Sequence, residues 1–331
     1  MMNWNSALAL STALRDGTFS AVDVMNETYD RIEKHNPQLN AIVNLLSREE
    51  ALKLAHAADQ IELNERGDLH GIPMAVKDLN DVAGFPTTAG YIPYKDRIIE
   101  EDGPMAARLR QAGALFIGKT NTPELGLGSQ TYNSVFGTTL NPYDQTRTPG
   151  GSSGGAAVAI ATEMLAIADG SDMGGSLRNP ASFCNIVGMR PSIGRVPSGG
   201  HSTWFGRMST AGPMARTVKD ATYLLSVQAG PHLSDPLTLP ESGIIFKDLL
   251  PQIEREPSSR YRIAYSPNLH GLPIASEVGK VIAQAPAIFE DFGWEITETS
   301  PDLSRAMEVF QIQRAAGLAN LGKSRQVAGD G

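Results

Sequence analysis

Two short clusters of glycine and serine are the part of this sequence whose residue types and spacing could do chemistry. The first is "GGSSGG", residues 150–155, and the second is "DMGGS", residues 172–176. Glycine adopts backbone conformations closed to other residues, so such loops can bring several N–H groups to one point, which suits an anion or an oxyanion. Serine supplies a hydroxyl that becomes a nucleophile when a neighbouring base takes its proton. The pattern favours one site formed by both clusters, with a base from elsewhere.

Three other interpretations of the clusters predict different chemistry. A flexible linker would fit the glycine and serine content, but "AAVAIATEML" and "LAIADG" between the clusters predict a buried helix and a buried strand. A phosphate-binding P-loop would need Gly-Lys-Ser/Thr at the helix start, and no lysine lies near Gly154. A hydrolase elbow is matched formally by residues 151–155, with Ser153 as the nucleophile. Asp235 and His270 follow in an allowed order, but the preceding segment is polar and contains two prolines.

Four separated motifs resemble those of the amidase signature family, the Ser-cisSer-Lys amidohydrolases. They are "IPMAVKD", "GGSSGG", "DMGGSLRNPASFCNIVGMRP" and "GPMARTV". Ser152 and Ser176 lie 24 positions apart, as in the family, and Lys77 lies well upstream of both. The resemblance implies that Ser176 is the nucleophile, that Ser152 is a bridging serine on a cis peptide bond, and that Lys77 is the base.

These implied roles set conditions on the surroundings of each residue. A lysine is a base only when it is neutral, and burial at a strand end can bring its pKa from about 10.4 to roughly 7 to 8. The resemblance assigns the oxyanion hole to the backbone N–H groups of Met173, Gly174, Gly175 and Ser176. Ser153, Asp172 and Arg178 are expected to support the site. Thr131, Tyr132 and "HSTWFGRM" are expected to shape the substrate pocket, and Cys184 is expected to be a packed core thiol.

Alternating helical and strand patterns surround these motifs. Apolar spacing predicts a helix from Val22 to His35 that ends at Asn36-Pro37, and a short strand that ends at Lys77. The fold class predicted is α/β, with a mixed, largely parallel β-sheet core flanked by helices on both sides. We expect one domain over residues 1–331, with a catalytic core at about 65–220 and the Pro-rich segment Ser226–Gly243 as a loop. The resemblance also implies that the C-terminal portion of the family domain is missing.

Composition narrows the function further. The formal charge of −8, with no basic stripe, argues against direct nucleic-acid binding, and the single cysteine, Cys184, excludes an intrachain disulfide and suits the cytoplasm. We expect no export signal, no membrane span, no metal and no cofactor, and we leave a homodimer open. The resemblance implies an amidase that cleaves a non-peptide C–N bond of a small amide through a seryl acyl-enzyme. The alternatives are a glutaminase-type subunit of a tRNA-dependent amidotransferase, or a truncated member with weak or no activity.

Overall fold

The computed structural model describes residues 6–198, 208–253, 260–269 and 271–328. The chain divides into two compact units, Met1–Ile253 and Glu254–Gly331. The α-helices described in the first unit are α1 (Ala7–Arg15), α2 (Ala21–Leu39), α3 (Arg48–Asp59), α4 (Pro104–Gln111), α5 (Gly154–Ala161), α6 (Arg178–Phe183), α7 (Val218–Gln228) and α8 (Ile244–Lys247). The strands described there are β1 (Ile42–Val43), β2 (Pro73–Lys77), β3 (Leu115–Thr120), β4 (Tyr132–Asn133), β5 (Gly137–Thr138), β6 (Ile167–Asp172), β7 (Val187–Gly188) and β8 (Thr210–Ala215).

Two three-stranded sheets form the centre of the first unit. In one, with the order β1-β3-β2, the pair β2/β3 is parallel and the pair β1/β3 is antiparallel. In the other, with the order β6-β8-β7, both pairs are antiparallel. The predicted mixed α/β class is confirmed. Among the strands described in this unit, β2 and β3 are the parallel pair and the other pairs are antiparallel, so the pairing is mixed but not largely parallel as expected.

The helices begin where the sequence places capping residues. Ser20 and Ser47 each accept a hydrogen bond from the third residue of the following helix, α2 or α3, in a complete capping box. The predicted end of α2 at Asn36-Pro37 is wrong, because the helix continues to Leu39. The Asn36 carbonyl still accepts the Asn40 N–H at 2.8 Å, and the Asn36 side chain accepts the next two N–H groups of the chain. A proline in the last turn is therefore accommodated.

Helix α5 brings the two sheets together around the first glycine-serine cluster. It is apolar all round, its residues from Gly154 to Ile160 are buried, and it contacts β1, β2, β3, β6 and β8. A Cβ at Gly155 would lie 2.3 Å from the Asn121 nitrogen, so only glycine permits this close packing at the helix start. Burial of α5 therefore fixes the loop before it near the ends of the central strands.

The segment from Ser226 to Gly243 is a loop within the first unit, as predicted, because it has neither helix nor strand after Gln228. The second unit contains the parallel strand pair β9 (Arg262–Tyr265) and β10 (Glu295–Glu298) and the helices α9 (Ser276–Ile282), α10 (Ala285–Asp291) and α11 (Ala306–Ala328). Among the described helices of both units, none is both long enough and apolar enough to cross a membrane.

Candidate active site

Lys77 is the last residue of β2, and its side chain is completely buried. Its Nζ donates hydrogen bonds to Ser152 Oγ and Ser153 Oγ, at 2.8 Å each, and to Ser171 Oγ at 3.0 Å. A lysine ammonium has three N–H donors. When the amine is neutral, its lone pair replaces one of them, and a serine hydroxyl can then donate to the nitrogen. The contacts therefore allow a proton to pass between Lys77 and a serine.

The surroundings of Lys77 favour the neutral amine. Burial lowers the pKa of Lys77 to about 7, although the negative charges of Asp169 and Asp172 oppose this change. A group whose pKa lies near the working pH can both take and return a proton efficiently. Lys77 thus meets the electrostatic condition for a general base at neutral pH.

The first glycine-serine cluster forms a loop, residues 149–153, which we name the first loop. Every residue in it is buried, and the peptide bond that precedes Ser152 is cis. Thr131 Oγ1 donates to the Gly150 carbonyl at 2.8 Å and accepts from the Gly154 nitrogen at 3.2 Å. A Cβ at Gly154 would lie 2.2 Å from Thr131 Oγ1. Thr131 can bond to both ends of the loop only because the residue after the loop, Gly154, has no side chain.

The second cluster forms a loop, residues 173–176, which we name the second loop, and Asp172 holds it. The Asp172 carboxylate accepts the Gly175 N–H at 2.7 Å, the Leu177 N–H at 3.2 Å and two hydrogen bonds from the Arg178 guanidinium. Burial disfavours the charged carboxylate, but the hydrogen bonds from Arg178, Gly175 and Leu177 hold the pKa of Asp172 below its usual range. Asp172 and Arg178 thus form a charge pair beside the loop, and their supporting role in the site stays a prediction.

Ser176 is brought next to the first loop through its backbone. Its carbonyl accepts the Ser153 N–H at 3.3 Å, so a main-chain hydrogen bond joins the two loops. Ser176 is partly exposed, and its hydroxyl makes no hydrogen bond to any described residue. The structure therefore connects Lys77 with Ser152 directly, whereas the step from Ser152 to Ser176 stays a prediction.

The backbone donors of the second loop fall into two groups. The Gly175 N–H is used by Asp172 and is not available to a bound oxyanion in this arrangement. The other N–H groups assigned to the oxyanion hole donate to no acceptor among the described residues, and they belong to Met173, Gly174 and Ser176. Gly175 instead shapes the loop, because its φ is +112° and a Cβ there would lie 2.7 Å from Asn179 Nδ2.

Sequence reasoning missed two polar residues on β6, of which Asp169 is buried and Ser171 is partly buried. Asp169 is completely buried, and its Oδ1 accepts the Lys77 backbone N–H at 3.0 Å. Ser171, two residues later on the same face of the strand, contacts the Lys77 amine. Their signal is present in "LAIADGSD", where Asp169 and Ser171, at alternate positions, follow an apolar run.

The residues predicted to shape the pocket have different environments. Thr131 is buried with its hydroxyl engaged by the first loop, whereas Tyr132 beside it is 61% exposed. The segment 201–207 lies outside the described residues, so its predicted part in the pocket stays a prediction. Cys184 is buried, and burial raises its pKa to about 12, which fits a packed core thiol.

The competing chemistries find less support. The elbow would need a strand just before Ser153, but residues 139–152, all of them described, form none. Its histidine, His270, lies outside the described residues. Within the described ranges, no three His, Cys, Asp or Glu side chains are arranged to hold a metal ion.

Comparison with known proteins gives consistent matches. A family model described as "Amidase" matches residues 23–328. An acylamidase from Rhodococcus erythropolis is 35% identical over 308 residues, which cover 93% of this chain and 64% of the acylamidase. A glutamyl-tRNA(Gln) amidotransferase subunit from Carboxydothermus hydrogenoformans is 36% identical over 310 residues, which cover 93% of this chain and 63% of that protein. The chain thus spans less than two thirds of the length of these relatives.

Solved structures match in the same way. A bacterial aryl acylamidase of the amidase signature enzymes superposes with a TM-score of 0.87 at 28% identity, covering 98% of this chain and 68% of that one. The peptide amidase from Stenotrophomonas maltophilia superposes with a TM-score of 0.79 at 30% identity, covering 92% of this chain and 64% of that one.

Proposed function

Because the chain belongs to the amidase signature family, we propose that it hydrolyses a non-peptide carboxylic amide to an acid and ammonia or an amine. The observation that carries the proposal is the buried Lys77 amine, which lies 2.8 Å from Ser152 Oγ and has a pKa of about 7. The site lies wholly in the first unit. Since the only cysteine is Cys184 and no intrachain disulfide can form, we place this activity in the cytoplasm.

In the proposed acylation, Ser176 Oγ attacks the carbonyl carbon of the amide. Its proton passes to Ser152 Oγ while Ser152 gives its own proton to neutral Lys77. The negative oxygen of the tetrahedral intermediate accepts hydrogen bonds from the N–H groups of Met173, Gly174 and Ser176. One such donor is worth about 3 to 4 kcal/mol of transition-state stabilisation.

The intermediate collapses when the leaving nitrogen receives a proton. That proton returns from the Lys77 ammonium through the Ser152 hydroxyl, the C–N bond breaks, and ammonia or an amine departs. Water then attacks the ester carbonyl of the acyl-enzyme, giving one proton to Lys77 by the same path. The C–O bond to Ser176 breaks, the serine recovers its proton, and the acid is released.

The first experiment asks whether Ser176 forms the covalent intermediate. We expect a fluorophosphonate or sulfonyl fluoride probe to label Ser176 in the full chain, and the peptide that carries the label can be found by mass spectrometry. The Ser176→Ala variant should neither label nor release ammonia from a panel of aliphatic, aromatic and amino-acid amides. Unchanged ammonia release by this variant would rule the proposal out.

The pH dependence provides a second test. The base must be neutral, so kcat/KM should rise as pH increases through about 7, where Lys77 loses its proton. A rate that stayed constant from pH 5 to 9 would contradict a lysine base with this pKa.

A second candidate function is supported by the amidotransferase protein that is 36% identical to this chain. In this case the same site would hydrolyse glutamine and supply ammonia to a partner protein. Glutaminase activity that appears only when amidotransferase partner proteins are added would favour this candidate. Activity on simple amides with the chain alone would favour a free-standing amidase.

A weakly active or inactive member of the family is the third candidate. A pre-steady-state burst separates the two steps. A burst of one product molecule per chain followed by slow turnover would show that the site acylates and that a later step is slow. Rapid turnover would exclude a weakly active member.

A further inference from the structure

A buried carboxylate joins the two central sheets at the backbone of Lys77. β2 is an outer strand of the sheet β1-β3-β2, and β6 is an outer strand of the sheet β6-β8-β7. The two strands lie side by side, but no strand pairing joins them among the described residues. At the last residue of β2, the Lys77 N–H donates instead to Asp169 Oδ1 on β6, at 3.0 Å. This side chain supplies the acceptor that a paired strand would otherwise supply from its backbone.

The second oxygen of Asp169 is also engaged. Asn80 Nδ2 donates to Asp169 Oδ2 at 2.7 Å, and the Asn80 carbonyl in turn accepts a hydrogen bond from Lys119 Nζ. Asp169 and Lys119 are both completely buried. A buried carboxylate with both oxygens bonded has little freedom to rotate, so it holds its partners firmly. One of these partners is the backbone nitrogen of Lys77.

Charged groups surround Asp169 on each element that packs against it. Lys77 on β2 and Lys119 on β3 are the cations that face it, and Asp172 follows it on β6. Asp78, just after β2, faces Lys119 as well. Burial raises the pKa of Asp169, while the hydrogen bonds from Lys77 and Asn80 and the charges of the two lysines favour its ionised form. The Asp169 charge in turn favours protonated Lys77, against the effect of burial.

We propose that Asp169 is a positioning residue of the hydrolytic site, which holds the end of β2 so that the Lys77 amine stays opposite the first-loop serines. The expected changes in kcat rest on the proposed amide hydrolysis. The position that Asp169 gives to the end of β2 does not depend on that function. Asp169 acts through Lys77 and touches none of the reacting atoms. Its second effect is electrostatic, because its negative charge favours the protonated form of the Lys77 amine.

Two variants separate position from charge. Asp169→Asn removes the charge but keeps an oxygen that can accept the Lys77 N–H, and the Asn80 amide can turn so that its oxygen accepts from the new NH2 group. We therefore expect kcat at high pH to stay within a few fold of the wild-type value. Asp169→Ala removes the acceptor as well, and kcat should fall about 100-fold, which is the loss typical of a catalytic group displaced by about 1 Å. KM should change little in either variant, since Asp169 is buried away from substrate.

The direct measurement is the titration of Lys77 by NMR. In protein labelled with 13C-lysine, the 13Cε signal missing from Lys77→Met identifies Lys77. Its midpoint should lie near 7 in the wild type and about one pH unit lower in Asp169→Asn, because an opposing charge has gone. Asp220→Asn is the matched control. Asp220 is an equally buried carboxylate, bonded to Ser6, Leu8 and Thr217.

The outcomes distinguish this proposal from the proposed function. A purely structural role would lower the stability of Asp169→Ala and Asp220→Asn alike, while the Lys77 midpoint and kcat of the folded variants stayed at wild-type values. That result would overturn the positioning role. If the wild-type chain and Ser176→Ala were equally inactive on amides, the proposed function would fail. In that case, a Lys77 midpoint that moved to lower pH in Asp169→Asn, but not in Asp220→Asn, would still support the position assigned to Asp169.

Discussion

The two glycine-serine loops have similar compositions but opposite environments. The first loop, residues 149–153, is buried throughout, and both of its serine hydroxyls are bonded to Lys77. In the second loop, Met173 and Gly174 are exposed, and the Ser176 hydroxyl has no partner among the described residues. Composition alone therefore does not assign a role. Burial and hydrogen bonding fix the first loop, whereas the second loop keeps exposed residues and a hydroxyl without a partner among the described residues, as the proposed proton path and substrate site require.

The elements that follow the loops explain the difference. The first loop leads into α5, which is apolar on every side and is packed against both sheets. The second loop leads into α6, whose Arg178 and Phe183 are exposed. A loop before a core helix must satisfy its polar groups within the protein, whereas a loop before a surface helix can leave some of them for a ligand.

Removal of the Ser176 hydroxyl in the second loop should cause the largest loss of activity. It also tests whether the two loops differ in their contribution to stability. We expect Ser176→Ala to lower kcat/KM by about 1000-fold or more, because no nucleophile remains. Its unfolding free energy should stay within about 0.5 kcal/mol of the wild-type value, since the hydroxyl makes no hydrogen bond to the described protein. Urea unfolding checks this point. A large loss of stability would mean that the second loop is as firmly bonded as the first.

The buried Lys77, which contacts the first loop, should make the free energy of unfolding depend on pH. The folded pKa of Lys77 is about 7 and its ordinary value is 10.5, so the unfolded chain binds more protons between these values. The stability of the wild type relative to Lys77→Met should therefore increase with pH across this range, by up to about 1.4 kcal/mol per pH unit. Below pH 7 the difference should be constant.

Urea unfolding at several pH values measures this slope. Lys53 on α3 provides the matched control, because its side chain is 69% exposed and Lys53→Met removes a charge without touching the buried network. Equal slopes for Lys77→Met and Lys53→Met, relative to the wild type, would contradict a buried lysine that is neutral when folded.

A methyl group added at Gly175 in the second loop should lower kcat less than the loss of the Ser176 hydroxyl does. Gly175→Ala places a Cβ at a φ of +112° and within 2.7 Å of Asn179 Nδ2. An L residue is strained at this φ, and the loop that carries Ser176 shifts to relieve the strain. We expect kcat to fall about 100-fold and stability to fall by about 1 to 2 kcal/mol. Gly279→Ala on α9 is the control, since a Cβ there meets nothing within 4 Å. Wild-type kcat in Gly175→Ala would show that the position of the second loop is not critical.

The smallest effect should come from the hydroxyl that holds the first loop. Thr131→Val leaves the Gly150 carbonyl and the Gly154 N–H unpaired in a buried site, which should cost about 1 to 2 kcal/mol of stability. Thr222→Val, on the exposed face of α7, removes a threonine hydroxyl without burying an unpaired group. If the two valine variants were equally stable, the first loop would not depend on Thr131.

Much of the framework was predictable from local patterns. The strand that ends at Lys77 and the helix and strand between the two clusters follow from apolar runs bounded by glycine or proline, and the structure has them as β2, α5 and β6. The end of α2 was not predictable in this way. The general effect of a proline on the preceding residue was outweighed at Pro37 by hydrogen bonds made by Asn36, which depend on how the chain turns afterwards.

The candidate site was predictable only in part, because its motifs name side chains and not their partners. Lys77 and Ser152 lie in recognisable motifs. The contact of Asp169 with the Lys77 backbone was not predictable, because it joins residues of two sheets that lie far apart in the sequence. The use of the Gly175 N–H by Asp172 also depends on the exact path of the second loop. Polar residues within an apolar strand were the available clue to Asp169 and Ser171.

The thiol of Cys184 makes the first loop open to observation by chemical kinetics. It is the only cysteine in the sequence, and its Sγ donates to the Pro149 carbonyl at the start of that loop. A thiol-specific reagent can therefore modify the native chain at one place, and only during moments when this region opens. The rate of modification under native conditions therefore measures how often the region around Cys184 opens.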